Sequence, residues 1–363
     1  FYSAQDADSE GIEGKFYVWT REEVKSVLGA EDGEYFCQWY GITAAGNFEG
    51  KNIPHLMHGL PVGEEWSRLD NLRNRLFEKR EQRIHPYRDD KILSAWNGMM
   101  IASLAYGARV LDEPCYLQAA FRAADFILEH LRRADGRLLA RYREGEALYP
   151  AYALDYAAMT WGLLELYQSG FDSKYLKDAL ELSKDLLRLF WDEDRGGLFL
   201  YGSDAEQLFS RPKEVYDGAI PSDNSLASFN FLRLGRLTGD HLLEDKAGQA
   251  IRVFADSING HPAGYTFFLI PALYYEHPGK EIVVVGKREQ ADTRAMLDVI
   301  NDRFLPGTVV VFKDPAEVEM DEIAPFVKDM SLLEGKATAY ICEGFSCQAP
   351  VSDVQTLKEL LSK

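Results

Sequence analysis

Residues 96–111 read WNGMMIASLAYGARVL and carry the clearest indication of how this chain folds. They are apolar on nearly every side of the helix that their spacing predicts, a pattern typical of a helix buried on all faces. Two further stretches share the pattern, DYAAMTWGLLELY at residues 155–167 and SLASFNFLRLGRL at residues 225–237. We interpret all three as inner helices of a double ring.

A helix with one apolar stripe follows each inner helix, at residues 114–133, 173–190 and 240–258. Apolar residues recur there at spacings of three, four and seven, which places them on one face with charges opposite. Pro114 and the residues around 173 and 240 are good start signals for these helices. We interpret them as outer helices.

Internal repetition follows from this alternation. When Asn97, Asp155 and Asn224 are set in register, the repeat is roughly sixty to seventy residues, the length of a helical hairpin with a rim loop. The sequence therefore predicts a mainly α fold, an (α/α) toroid of helical hairpins. Counting residues 265–275 as a fourth inner segment, we expect an incomplete ring with exposed apolar surface and a tendency to self-associate.

The pattern changes near residue 278. Apolar β-rich runs at residues 282–285, 309–312 and 337–341 alternate with helical stretches, which predicts a small α/β region. We therefore predict a partial toroid domain at residues 1–278 and an α/β region at residues 279–363. Shorter strand-like pieces at residues 137–142 and 197–201 predict hairpins at one rim of the ring.

Charge and hydropathy exclude several classes of protein. Lys and Arg total 40 against 58 for Asp and Glu, a net charge of -18 that would repel nucleic acid. No run of eighteen apolar residues suggests a membrane span, and the four cysteines form no disulfide framework. We expect a cytoplasmic location. Because the chain starts at Phe1 in mid-strand, we also expect an upstream segment.

Four motifs resemble one known family. They are DADSEGIEGKFYVW (6–19), DDKILSAWNG (89–98), DGAIPSDNS (217–225) and CEGFSCQAPV (342–351). Together they resemble the thioredoxin-domain-containing, spermatogenesis-associated family. The resemblance implies a six-hairpin toroid similar to N-acylglucosamine 2-epimerases and six-hairpin glycosidases. It also implies a fused N-terminal thioredoxin-like domain, which lies outside this chain and would be its partner.

Three carboxylates are the candidate catalytic residues: Asp90, Asp155 and Asp217. Each precedes or opens an apolar segment of one repeat, and hairpins in a ring bring such positions to one mouth. Glycosyl chemistry needs one carboxyl group that donates a proton and another that stays ionised. The alternative is structural: Asp90 caps the helix and pairs with Lys91, and Asp223 followed by Asn224 and Ser225, which accompany Asp217 in its repeat, is an ordinary helix start.

Five residues are candidates for substrate binding: Asp8, Trp96, Asn97, Tyr156 and Asn224. Aromatic rings stack on sugar faces, but they also fill cores, so composition leaves both interpretations open. The acidic turn at residues 6–11 resembles the start of a calcium loop, yet Tyr17 stands where that loop needs Glu. We predict no metal and no cofactor.

Histidines and cysteines supply the remaining candidates. His55, His58 and His85 could act as acid or base, although structural or surface roles are the alternative. Cys342 and Cys347 are redox candidates, and we predict reduced thiols because their spacing is wider than C-x-x-C. The turn between them could still bring them within bonding reach.

Two functional hypotheses remain open. The first is a carbohydrate-active toroid, a sugar hydrolase or epimerase that uses carboxylates in its central funnel. The second is a non-catalytic or redox-accessory protein that serves a fused thioredoxin-like domain. A sugar ligand is the expected partner in the first case.

Overall fold

Helical hairpins dominate the computed structural model, which describes residues 1–57, 59–206, 208–277, 279–344 and 346–362. The chain divides into two compact units, residues 2–90 and a larger unit of Phe1 with residues 91–363. The predicted mainly α class is confirmed.

The α-helices are Arg21–Leu28 (α1), Ala30–Trp39 (α2), Glu64–Arg80 (α3), Ser94–Leu111 (α4), Pro114–His130 (α5), Ala153–Gly170 (α6), Ser173–Phe190 (α7), Asp223–Thr238 (α8), His241–Gly260 (α9), Leu269–Glu276 (α10), Ala291–Asn301 (α11), Glu319–Ile323 (α12) and Val354–Leu360 (α13). The β-strands are Ala4–Gln5 (β1), Asp8–Ser9 (β2), Ile12–Glu13 (β3), Arg88–Asp89 (β4), Ile92–Leu93 (β5), Leu139–Arg143 (β6), Glu146–Pro150 (β7), Glu281–Val285 (β8), Val309–Lys313 (β9), Thr338–Glu343 (β10) and Ser346–Cys347 (β11). Short 3₁₀ turns occupy Pro262–Gly264 and Pro325–Val327.

The smaller unit has its own core, in which α1, α2 and α3 pack together. Helix α1 begins with a capping box: the Thr20 hydroxyl accepts from the Glu23 amide at 3.1 Å, and the Glu23 carboxylate accepts from the Thr20 amide at 2.8 Å. The core is formed by apolar side chains from all three helices and the segments beside them, among them Trp19, Val24, Phe36, Leu69 and Leu72.

The larger unit contains an arc of antiparallel hairpins, α4 with α5, α6 with α7 and α8 with α9. The first helices of the hairpins contact one another in sequence, α4 against α6 and α6 against α8, and α10 continues the row beside α8. This is the predicted arrangement of inner and outer helices in an incomplete (α/α) toroid. Pro271 lies in the first turn of α10, where its missing amide proton costs no helical hydrogen bond.

Two glycines explain the close packing of α4 on α6. A Cβ atom on Gly98 would lie 2.4 Å from the backbone carbon of Ala158, and one on Gly162 would lie 2.8 Å from the carbonyl oxygen of Gly98. Both distances are far below van der Waals contact. The two backbones therefore cross at a point where a side chain cannot fit.

The outer helices begin as their sequences indicate. Pro114 is the first residue of α5, and the Asp240 carboxylate caps α9 by accepting from the Leu242 amide at 3.1 Å. The cap of α7 is Asp172, whose carboxylate accepts from the Lys174 amide at 3.1 Å. Each helix turns a single apolar stripe toward the inner row.

Burial of the inner helices follows the prediction in two cases and departs from it in one. Most residues of α6 and α8 are buried. Helix α4 instead leaves one apolar face open, with Trp96 48%, Met100 42%, Tyr106 46% and Val110 55% exposed. Among the inner helices α4 packs mainly against α6, whereas α6 lies between α4 and α8 and is therefore covered on both sides.

One of the two predicted rim hairpins is present. Strands β6 and β7 pair antiparallel, with Arg141 opposite Leu148. Residues 197–201 form no strand, and the prediction there is wrong. Instead, Leu198 makes an isolated bridge with Trp191, and the Leu200 amide donates to the carbonyl of Pro212 at 2.8 Å.

The three apolar runs after residue 278 form a four-stranded sheet of order β11-β10-β8-β9. Strands β8 and β9 are parallel and β10 is antiparallel to β8, while α11 connects β8 to β9. Gln168 of α6 joins the sheet to the hairpins, because its amide donates to the Val310 carbonyl at 2.7 Å and accepts from the Val310 amide at 3.0 Å. The helical and α/β parts thus fall in one compact unit, and the predicted domain boundary at 278 stays a prediction.

Cys342 and Cys347 correct a prediction. They lie directly opposite each other on β10 and β11 and are joined by a disulfide, with Cα atoms 3.9 Å apart. Reduced thiols were expected from the five-residue spacing, but an antiparallel hairpin turns that spacing into a cross-strand pair. Cys37 and Cys115 are free thiols.

Sequence analysis predicted no membrane span. Within the described ranges, none of the helices combines the length and the apolar character that crossing a bilayer requires. The cytoplasmic location stays a prediction.

Candidate functional site

Asp155 lies in the first turn of α6, where its carboxylate joins two inner helices. One oxygen accepts from the Tyr152 amide at 2.8 Å and closes the N-terminus of α6; the other accepts from the Ala95 amide of α4 at 2.9 Å. Burial raises the pKa of Asp155 to about 6, although both hydrogen bonds oppose that rise. Both oxygens are thus used within the fold.

Asp217 holds together the loop that leads into α8. One of its oxygens accepts from the Ser222 amide at 2.9 Å and from the Ser225 hydroxyl at 2.7 Å, and the other accepts from the Phe268 amide at 3.0 Å. Asp217 is mostly buried and borders a shallow opening of about 250 Å³. This geometry favours the structural alternative for Asp217, and its catalytic role stays a prediction.

Asp223, the first residue of α8, differs from Asp155 and Asp217 in its hydrogen bonds. One oxygen accepts from the amide of Asn224 at 2.7 Å and from its side chain at 3.0 Å. The other oxygen is buried and has no hydrogen-bond partner among the described residues. Burial, with a smaller contribution from the negative charge of Glu214, raises the pKa of Asp223 to about 7. A carboxyl group of this kind can donate a proton near neutral pH.

The sequence places Asp223 in the same repeat as Asp217, but we interpret it there as a helix start and do not include it among the candidate site residues. Its neighbour Ser222 caps α8, accepting from the Ser225 amide at 3.2 Å, so the whole run has the sequence of an ordinary helix start. The available signal was an additional acidic residue directly after a cap, ahead of an apolar helix.

Tyr156 and Asn224 lie in the core. The Tyr156 hydroxyl accepts from the Leu138 amide at 2.9 Å, and its ring is fully buried. The Asn224 side chain accepts from the Leu198 amide at 2.6 Å and donates to the Leu198 carbonyl at 3.0 Å. Through these hydrogen bonds, Tyr156 and Asn224 hold the neighbouring rim loops in place. The ring of Tyr156 is fully buried, which favours the core interpretation, and its role in substrate binding stays a prediction.

Trp96 and Asn97 share the start of α4 but not their surroundings. Trp96 is half exposed on the open face of the helix. Asn97 is buried and donates to the carbonyls of Leu93 and Phe1, at 3.0 Å each. Of the two, Trp96 alone presents a surface that a ligand can contact.

Asp8 and Asp90 belong to the smaller unit. Asp8 is exposed on the β2–β3 hairpin, opposite Glu13, and Asp90 is half-buried. The predicted convergence of Asp90 with Asp155 and Asp217 stays a prediction. His85 of the same unit packs on the ring of Phe16, with centroids 4.6 Å apart.

The other two histidines differ in what the structure describes. His55 lies within hydrogen-bond reach of Asn47, at 3.3 Å. His58 lies outside the described residues. Among the residues that the structure does describe, no three His, Cys, Asp or Glu side chains are grouped to hold a metal ion.

A cleft of about 850 Å³ opens beside the N-terminus of α6. We call it the rim cleft; it is formed by residues 149–152 and by the loop at 200–212, apart from residue 207. Tyr149, Tyr152 and Phe209 line it with exposed rings. Tyr149 has a φ of +66°, which is unusual for an aromatic residue. This conformation costs free energy and persists only where the surrounding structure imposes it.

Polar groups form one side of the rim cleft. The buried Arg137 guanidinium donates to both carboxylate oxygens of Asp204, at 2.8 and 3.3 Å, and to the Ala151 carbonyl at 3.0 Å. Asp204 is partly exposed and keeps acceptor capacity toward the cleft. Exposed aromatic rings beside a fixed polar pair can bind a sugar, because the rings pack on the apolar face of the sugar and the polar pair forms hydrogen bonds with its hydroxyls.

The rim cleft was missed at the residue level. The rim hairpin was predicted, but Tyr149, Tyr152 and Phe209 lie where no helical or strand periodicity marks them. The closely spaced aromatic and proline residues at 149–152 were the only signal.

The chain is similar to several known proteins. No family model matches the chain. Spermatogenesis-associated protein 20 of Homo sapiens is 32% identical over 409 aligned residues, covering 99% of this chain and 52% of the human protein. The chain spans about half the length of the curated relatives it matches.

Two solved structures are similar in fold. The GH76 alpha-mannanase from Bacteroides thetaiotaomicron has a TM-score of 0.44 and 17% identity, covering 67% of this chain and 72% of that one. Cellobiose 2-epimerase from Bacillus thermoamylovorans has a TM-score of 0.40 and 12% identity, covering 77% of this chain and 90% of that one.

Proposed function

We propose that this chain, which is homologous along its length to part of spermatogenesis-associated protein 20, contributes a carbohydrate-binding toroid to a longer protein of that kind. The sugar binds in the rim cleft. The observation that carries the proposal is the set of exposed rings of Tyr149, Tyr152 and Phe209 beside the Arg137–Asp204 pair.

The cleft fits this ligand class better than a purely apolar one. Its volume of about 850 Å³ lies within the range of small-molecule sites. Aromatic rings that pack on the apolar face of a sugar bury apolar surface, and this contact does not require the ligand to be charged. The net charge of -18 also favours a neutral ligand over an anionic one at this surface.

Catalysis, either hydrolysis or epimerisation, is the finer part of the proposal. Both reactions need a group that exchanges a proton near neutral pH. Asp223 has the pKa for that role and, like Asp155, lies in the first turn of an inner helix; it is buried and is not among the residues that line the rim cleft. We therefore place Asp223 ahead of Asp155 and Asp217 as the candidate acid, because the oxygens of the other two are occupied by structural hydrogen bonds.

Sugar binding is tested by titrating the chain with cellobiose, maltotriose and chitotriose, using calorimetry and saturation-transfer NMR. Removing one ring, in Tyr149→Ala or Phe209→Ala, should weaken binding about fivefold, since a stacked ring contributes roughly 1 kcal/mol. Trp66→Ala removes a similarly exposed ring from α3 and should change nothing. If no oligosaccharide binds, or if all three variants behave alike, the proposal is wrong.

One observation favours a second candidate, thiol–disulfide exchange. The Cys342–Cys347 disulfide has one buried and one exposed cysteine. A dithiol partner would attack the Cys347 sulfur and release the Cys342 thiolate; its second thiol would then displace Cys347, so that two electrons pass to this chain and the partner leaves as a disulfide. Exchange with a reduced thioredoxin-like domain, lost in Cys347→Ser but not in Cys115→Ser, would support this candidate.

A further inference from the structure

A second cavity lies at the opposite ends of the inner helices from the rim cleft. It is open to solvent on one side and is lined by side chains of α4, α6 and α8, by Tyr274 of α10 and by the segment at residues 300–308, and its volume is about 170 Å³. We call this cavity the basal pocket. Glu165, one of its walls, lies thirteen residues along the chain from Tyr152, the N-cap of α6, which at 1.5 Å per residue is roughly 20 Å. The basal pocket and the rim cleft are therefore separate sites.

Three charged side chains, one from each inner helix, meet at the basal pocket. The Glu165 carboxylate of α6 accepts from Arg233 of α8 at 2.6 Å and from Arg109 of α4 at 3.4 Å. All three are largely buried, with side-chain exposures of 7%, 11% and 17% for Glu165, Arg233 and Arg109. Together they have a net charge of +1 in a place with little water. Arg303 also lines the cavity, but it is half-buried and donates to the Ser362 hydroxyl at 2.8 Å.

A buried excess of positive charge is costly unless an anion neutralises it. Burial lowers the pKa of Arg109 despite its contact with Glu165, which shows how poorly the site solvates a second cation. For Glu165, burial alone would raise the pKa, but Arg233 and Arg109 outweigh it and lower the pKa below its ordinary value. The Glu165 carboxylate therefore stays ionised, and its single negative charge balances only one of the two arginines.

The guanidinium groups retain donors for a ligand. Within the described residues, each donates a hydrogen bond to Glu165, which uses one of its five N–H groups. Both arginines line the cavity. The partial negative charge of a helix C-terminus acts mainly within the last turn. Arg109 lies in the last turn of α4, whereas Arg233 lies five residues before the end of α8 and outside that influence.

Aromatic and aliphatic side chains, among them Tyr274, Ile300 and Leu305, form much of the remaining wall of the basal pocket. Tyr106, Phe229 and Phe304 line it, with Arg109 5.1 Å from the Tyr106 ring centroid and Arg233 5.1 Å from that of Phe229. The segment at residues 300–308 is fixed by α8, because Arg236 donates to the Gly307 carbonyl at 3.0 Å. The pocket thus combines a paired guanidinium site with an apolar lining.

We propose that the basal pocket binds a small organic monocarboxylate. Its carboxylate pairs with Arg109 and Arg233, and its carbon body packs against Tyr106, Phe229 and Phe304. A single negative charge matches the excess of +1, and planar guanidinium groups suit a planar carboxylate. At about 30 Å³ for each water displaced, the cavity holds roughly six waters, or a ligand of about the size of benzoate.

The experiment titrates the chain with benzoate, using benzyl alcohol as the uncharged control and inorganic phosphate as a second anion. Benzoate should bind saturably and raise the melting temperature, while benzyl alcohol should do neither. Arg109→Gln and Arg233→Gln each remove the charge excess and should weaken benzoate binding at least tenfold. Arg122→Gln, an exposed arginine on α5, should leave it unchanged.

Phe304→Ala keeps the test decisive if the arginine variants fold poorly, because Phe304 is 84% exposed and takes no part in the ion pairs. It should weaken benzoate binding without lowering the melting temperature. Three results would overturn the proposal: no benzoate binding to the unaltered chain, tighter binding of phosphate than of benzoate, or benzoate binding that none of these substitutions alters. A purely structural triad would give the first.

Discussion

At the residue scale, three acidic side chains near the inner-helix starts have distinct roles. Asp155 and Asp217 each use both oxygens to accept hydrogen bonds from backbone amides or a hydroxyl. Asp223 uses one oxygen and buries the other without a partner among the described residues. A buried carboxyl oxygen without a partner lowers stability, which distinguishes Asp223 from Asp155 and Asp217.

Replacing this group gives a stability prediction for Asp223→Asn. The native pKa of about 7 exceeds the unfolded value near 3.9, so the folded state binds the proton more tightly. Stability should therefore fall as pH rises from about 4 to about 7, by an amount on the order of 4 kcal/mol for this group alone. The asparagine does not ionise, so the variant should melt higher than the original chain at pH 8 and at a similar temperature at pH 4.

Asp155→Asn is the comparison variant, because the pKa of Asp155 is raised less, to about 6, and both of its oxygens accept hydrogen bonds. An asparagine can accept through one oxygen only, which leaves the amide of Ala95 or Tyr152 facing a donor. This loss of about 1–3 kcal/mol offsets the smaller gain from removing the charge, so Asp155→Asn should raise stability at pH 8 less than Asp223→Asn does, measured by urea denaturation. If Asp223→Asn destabilised the chain at pH 8, Asp223 would be a structural residue.

The sequence could not separate these carboxylates. It showed acidic residues at helix starts, but the partners of Asp155 and Asp217 include Ala95 and Phe268, which lie about 50 to 60 positions away. Those contacts depend on tertiary packing. The Cys342–Cys347 pair was missed for a similar reason, because the spacing alone does not show that the chain turns back between them.

At the element scale, the alternation of buried and amphipathic helices was predictable because it is a local pattern. Helices α6 and α8 have apolar residues on all faces, and α7 has a single stripe, as their positions in the arc require. What the pattern could not show is how closely two helices approach. That distance depends on Gly98 of α4 facing Ala158 of α6.

Gly98→Ala tests this contact. A Cβ atom at that position would meet backbone atoms of Ala158, which cannot move aside as a flexible side chain can. We expect a loss of about 3 kcal/mol or more in the free energy of unfolding, measured by urea denaturation. Gly107→Ala on the same helix is the control, since its nearest neighbour is 3.7 Å away, and it should gain up to about 1 kcal/mol from helix propensity. Equal effects of the two substitutions would contradict this account.

At the scale of the whole molecule, charge and apolar surface oppose each other. The net charge of -18 repels other copies, whereas the exposed face of α4 favours association. The sequence predicted an open ring from the number of inner segments, but it could not show which helix would leave an apolar face exposed. Screening of the charge repulsion by salt should determine whether copies associate, because the Debye length falls from about 14 Å at 50 mM salt to about 4 Å at 500 mM.

We therefore predict that the chain self-associates through α4 as salt rises. Sedimentation velocity at tens of micromolar should show a monomer of 41.1 kDa at 50 mM sodium chloride and a larger species at 500 mM. Met100→Asp combined with Val110→Asp places two charges on the exposed face and should keep the chain monomeric at both salt concentrations. The matched pair Leu242→Asp with Val253→Asp adds the same charge to exposed positions on α9 and should leave association intact. Association that both pairs abolish equally would assign the effect to net charge, and a monomer at high salt would show that the open face of α4 is not an interface between copies.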